Sequence, residues 1–140
     1  MTATLWLRIA SGLTFLHAVL HTIGGVFGKP ASAAQQAVAE AMKATFPVLG
    51  ITRSYADFYL GMGLGITIAL LVDATAFWIL GSMAKSEPAR LRPLIAVFLV
   101  GYVAFAVNSW KFFFAGPVIG EILIAGCLAL ALLKAKPAGA

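Results

Sequence analysis

Apolar residues along this chain run in long unbroken stretches rather than alternating with polar ones. Four stretches stand out, at residues 5–27, 55–80, 93–110 and 114–133. Each comes close to the roughly 20 apolar residues that a helix needs to cross a bilayer. Strands of a membrane barrel would be about 10 residues long and would alternate apolar and polar positions. The pattern therefore predicts an all-α polytopic membrane protein. The links at 81–92 and 111–116 are short, which favours antiparallel neighbours. The expected architecture is a four-transmembrane-helix antiparallel bundle, a single domain over residues 1–140.

The one sizeable loop, 28–54, has a pattern of its own. Val38, Met42, Phe46 and Leu49 recur at helical spacing, while Gln35, Gln36, Glu40 and Lys43 take the other side. This predicts one short amphipathic helix over 33–46, closed by Pro47. It reads as a connector lying in the headgroup plane, with a lid over the bundle mouth as the alternative. Residues 134–140 are expected to fray.

Composition agrees with the pattern. Hydrophobic residues make up 61% of the chain and charged residues 11%, against about half and a quarter in soluble domains. The net charge is +5, but no cluster of Lys and Arg points to nucleic acid. The cations bear instead on topology. With the N-terminus in the cytoplasm, Arg8, Lys85, Arg90, Arg92, Lys134 and Lys136 lie inside. Lys29, Lys43, Arg53 and Lys111 lie outside, so the bias favours both termini in the cytoplasm. The first span is too long and too polar at its centre for a signal peptide, and is expected to be retained. The single Cys127 lies within the fourth span and reads as packing.

Polar side chains inside apolar spans are where function is sought, because each is costly in hydrocarbon. Arg8 and Asp73 sit toward the inner ends of their spans and are expected to form a structural ion pair. A larger group gathers toward the outer side. His17 and His21 are four apart and share a helix face. Arg53 and Asp57 open the second span, Asn108 ends the third, and Glu121 lies two turns into the fourth. The expected ligand-binding set is His17, His21, Arg53, Asp57, Asn108 and Glu121, a polar cluster in the outer half. Gly61 with Gly65, and Gly116 with Gly120, are GxxxG pairs suited to close helix approach or to a homo-oligomer.

Three readings of the cluster follow. It binds the polar end of a small apolar or amphipathic molecule, such as a lipid or quinone, and this is the leading reading. It holds a divalent metal through His17, His21 and Glu121, zinc being the natural choice for imidazoles at i and i+4. Haem is the other metal option, but one helix cannot supply both axial histidines. Or the polar groups only join helices, as a structural or assembly module. Nothing in the sequence identifies a reaction. Membrane lipids are the expected partners.

The segments LHAVLHTIGGVFG, RSYADFYLGMGL and VNSWKFFFAGP together resemble a family of small bacterial four-helix membrane proteins without an assigned activity, DoxX-type in size and layout. The resemblance covers most of the chain. It implies a four-helix fold and a bacterial inner-membrane location, and it transfers no reaction.

Overall fold

A computed structural model describes residues 2–136. Among these, four helical segments are long and apolar enough to cross a membrane: Ala3–Val26, Tyr55–Met83, Pro88–Phe112 and Ala115–Lys134. This is a multi-pass membrane protein, with spans close to those predicted. The helices are α1 (Ala3–Leu20), α2 (Ala33–Ala41), α3 (Tyr55–Met83), α4 (Arg92–Phe112) and α5 (Ala115–Lys134). A π turn, His21–Val26, extends α1, and a 3-10 turn, Pro88–Leu91, leads into α4. Strands β1 (Thr45–Val48) and β2 (Ile51–Ser54) form a small hairpin. At 29 residues, α3 is about 43 Å long, more than a hydrocarbon core of about 30 Å requires.

The chain divides into two compact units. The first comprises residues 1–17 and 70–140. Its core joins α1, the second half of α3, α4 and α5 through Leu7, Phe77, Ile95, Tyr102, Ile124 and Leu128. Phe77 anchors a ring cluster, edge-on to Phe98 at 4.9 Å between centroids and tilted against Tyr102 at 5.8 Å. The α4–α5 pair is antiparallel, tied at both ends. Ser109 bonds Glu121 at the linker end, and Arg92 donates to the carbonyls of Leu132 and Ala135 at the other. Ala135 is fully buried, so fraying does not begin at Lys134 as expected. The rest of the expected frayed tail, 137–140, lies outside the described residues.

The second unit, 18–69, holds the loop and the facing ends of α1 and α3. The amphipathic helix ends at Ala41 rather than 46, and a hairpin follows. Ser32 caps α2, its hydroxyl accepting from the Gln35 amide. In the hairpin, Val48 pairs with Ile51, leaving Leu49 and Gly50 as a two-residue turn with both φ values positive, 47° and 86°. That is the turn whose twist matches paired strands. Pro47 pairs with Thr52, two places from the tip, where a residue without an N–H loses no ladder bond. Phe46 and Leu49 fit a helical stripe and a hairpin alike, and the positive φ values of Leu49-Gly50 settle the segment as a hairpin.

The start of α3 is locally determined. The Ser54 N–H and hydroxyl both donate to Asp57 Oδ2, at 2.8 and 2.9 Å, and the Asp57 amide sits 3.2 Å from Ser54 Oγ. This reciprocal capping box satisfies the first amides of the helix.

Candidate functional site

The site is built on unit one, where polar side chains from four helices turn inward. Glu121 lies six residues into α5, about 9 Å from its first residue. It is only 7% exposed. Ser109, on the last turns of α4, donates to Glu121 Oε1 at 2.9 Å. The other carboxyl oxygen, Oε2, is buried with no hydrogen-bond partner among the described residues. The α4–α5 linker is only two residues, which puts the end of one helix beside the start of the next and makes this bond possible.

The preceding residue, Gly120, carries His17. A Cβ at position 120 would lie 3.2 Å from His17 Nδ1, so the imidazole rests on bare backbone. One turn earlier on α1, Thr14 is fully buried and its hydroxyl lies beside the Tyr102 phenol. The Tyr102 hydroxyl in turn donates to Asp73 Oδ2 at 3.1 Å. Glu121 is within electrostatic reach of the same phenol. Thr14, His17, Asp73, Tyr102, Ser109 and Glu121 thus form a polar layer about two turns deep inside apolar helices, with His17 and Asp73 half-buried and the other four buried.

The expected Arg8–Asp73 ion pair is not made. The Arg8 guanidinium lies 3.4 Å above the Trp78 ring, and its Nη2 donates to Ser82 Oγ at 3.1 Å. The reason is register. Arg8 packs on Gly81, eight residues and roughly 12 Å along α3 from Asp73. Ser11, one turn on, reaches the Ala74 carbonyl at 2.7 Å. The Asp73 carboxylate meets Tyr102 instead.

The residues of the predicted outer cluster are divided between the two units. Glu121 and His17 belong to the buried layer. His21 opens the π turn in unit two, where its Nε2 lies 3.1 Å from the Gly63 carbonyl. Since a carbonyl only accepts, Nε2 carries the proton. Beside it, Thr22 donates to the Ala18 carbonyl at 2.7 Å and sits 2.9 Å from the Thr67 hydroxyl. Asp57 serves the cap of α3, and Arg53 is exposed, donating to the Thr52 carbonyl. Asn108 is exposed, and its neighbour Ser109 takes the inward place. Among the described residues, no group of three His, Cys, Asp or Glu is placed to hold a metal ion. Of the residues expected to chelate, His17 and Glu121 lie in unit one and His21 in unit two.

Of the glycine pairs, Gly61 and Gly65 have open space where a Cβ would stand. The close approach in α3 belongs to Gly63 between them, whose Cβ would lie 3.0 Å from Val26 Cγ2. Thr14, Tyr102 and Ser109 were not among the predicted site residues. Their signal was present as polar side chains within apolar spans, with Tyr102 and Ser109 two turns apart on one face.

Neither protein-family models, nor curated proteins, nor solved structures match this chain.

Proposed function

We propose that this integral membrane protein binds the polar end of a small amphipathic molecule, such as a lipid, in its buried polar layer. Glu121 reads the molecule's hydrogen-bond donor and His17 lines the approach over Gly120. The single observation that carries this reading is Glu121 itself. A carboxyl group 7% exposed within a span has one oxygen held by Ser109 and the other without a donor among the described residues. A buried acceptor left without a partner costs about 1–3 kcal/mol, more when it is charged. A hydroxyl or amine from a bound molecule relieves that cost. Ionisable groups at such depth are functional sites by default.

The same reading takes the cationic bias as topology, with both termini in the cytoplasm of a bacterial inner membrane. It keeps the DoxX-type likeness as a proposal about ancestry, and the open Gly61–Gly65 face as a proposed contact between copies.

The test is to purify the wild type, Glu121→Gln and Glu121→Ala in lipid nanodiscs and identify retained molecules by native mass spectrometry. The expected result is one defined amphipathic species held by the wild type and lost from Glu121→Ala. A wild type carrying only the bulk lipid composition, with variants altered in stability alone, would make the polar layer a joint between helices.

A further inference from the structure

The hairpin of the long loop carries a feature that the buried layer does not use. Its tip residue, Leu49, is fully exposed and sits in left-handed backbone with φ 47°. Asn or Asp is the usual residue at that turn position, because its short polar side chain tolerates the conformation and suits water. Leucine is disfavoured there on both counts. Neighbouring Ile51 is also half exposed.

The strand register sorts these side chains. Phe46 faces Arg53 and Val48 faces Ile51 across the hairpin, so one surface runs from an aromatic ring and a cation at the base to aliphatic residues at the tip. The base is pinned to the first turn of a spanning helix. The Phe46 ring lies 4.9 Å from Tyr55 and 6.2 Å from Phe58, centroid to centroid, and the Ala56 amide donates to the Met42 carbonyl at 2.9 Å. From Phe46 to Leu49 the chain reaches about 10 Å. That matches the depth of about 5–10 Å over which amphipathic elements enter the headgroup and acyl boundary.

We propose that the β1–β2 tip, Val48, Leu49 and Ile51, inserts into the lipid surface beside the start of α3, with Arg53 meeting anionic headgroups. The occupant of this apolar tip is the bilayer in which α3 is embedded. The inference is independent of the ligand reading at Glu121.

The test uses the full chain with Cys127→Ala as background and a single environment-sensitive fluorophore on Leu49→Cys. The protein is reconstituted in vesicles of phosphatidylcholine and phosphatidylglycerol, with Lys29→Cys as the aqueous reference. The expected result is blue-shifted emission at position 49, severalfold less quenching by iodide than at position 29, and strong quenching by lipids spin-labelled near the headgroup. Emission and iodide access equal to position 29 would overturn the proposal. So would shielding seen in native membranes and absent from pure lipid vesicles, since a protein would then cover the tip. A second variant guards against a misfolded turn. Leu49→Asn suits the left-handed backbone, so the hairpin persists, and a probe at Ile51→Cys should lose its lipid quenching severalfold. Unchanged quenching there would equally sink the insertion.

Discussion

The Ser109 hydroxyl donates to Glu121 Oε1 across the α4–α5 pair at 2.9 Å, with both residues more than nine-tenths buried. Ser109→Ala removes the hydroxyl donor to Glu121 Oε1. Interhelical bonds of this kind contribute about 0.6 kcal/mol on average and up to ~1.7 in membranes. Ser109→Ala is expected to lower unfolding stability within that range, measured by denaturation in mixed micelles. Paired with Glu121→Ala, which removes the acceptor, in a double-mutant cycle, the two costs should not add. Simple additivity would mean that the bond contributes nothing.

Asp73 takes its hydrogen bond from Tyr102, and Arg8 lies on Trp78. Tyr102→Phe keeps the ring contacts with Phe77 and Phe105 and removes only the hydroxyl. It is expected to cost about 0.5–1.5 kcal/mol and to couple with Asp73→Asn. Arg8→Ala should couple instead with Trp78→Ala, by about 0.5–2 kcal/mol for a cation over an indole face. Coupling of Arg8 with Asp73 would restore the ion pair that this geometry rules out.

Gly63 and Gly61 stand two apart on α3 in unlike surroundings. A Cβ at 63 meets Val26 Cγ2 at 3.0 Å, while at 61 nothing lies within 4 Å. Gly63→Ala is therefore expected to destabilise by about 1–3 kcal/mol through overpacking. Val26→Ala should recover most of that loss. Gly61→Ala should be neutral or slightly favourable, because alanine is the better helix former. Equal effects at 61 and 63, read as thermal midpoints in detergent, would contradict this packing.

Glu40, on the exposed helix α2, accepts from the Lys43 ammonium at 2.8 Å on both carboxylate oxygens. The Lys43 hydrogen bond and charge hold its pKa below the ordinary glutamate value. A group depressed in the folded state contributes stability above its unfolded pKa. That contribution disappears as pH falls through the folded pKa. The Glu40 carboxyl carbon, followed by NMR, should titrate below an ordinary glutamate, and Lys43→Met should move its midpoint up. An unmoved midpoint would show that the pair does not persist in solution.

Several elements were legible before folding. The four spans follow from run length alone, because a helix satisfies its own backbone in lipid whatever surrounds it. Glu121 stood out for a similar reason: charge in an apolar run is conspicuous at any register. Other features were misread because two local rules competed. Phe46 and Leu49 fitted a helical stripe and a hairpin equally well, and the Leu49-Gly50 turn decided for the hairpin. Asp57 looked like a site residue, yet its nearest donors were three residues away in Ser54.

What the amino-acid order settled, then, is whatever depends on neighbours along the chain: spans, their number, the caps, and the presence of buried polar groups. Partner choice came from helix rotation and register, which no single helix specifies. A shift of one residue turned Asn108 outward and Ser109 inward. A shift of about two turns put Arg8 on Trp78 and left Asp73 to Tyr102. Each residue turns a helix by about 100°, so whether a polar side chain meets a donor or lipid is decided only when neighbouring helices dock.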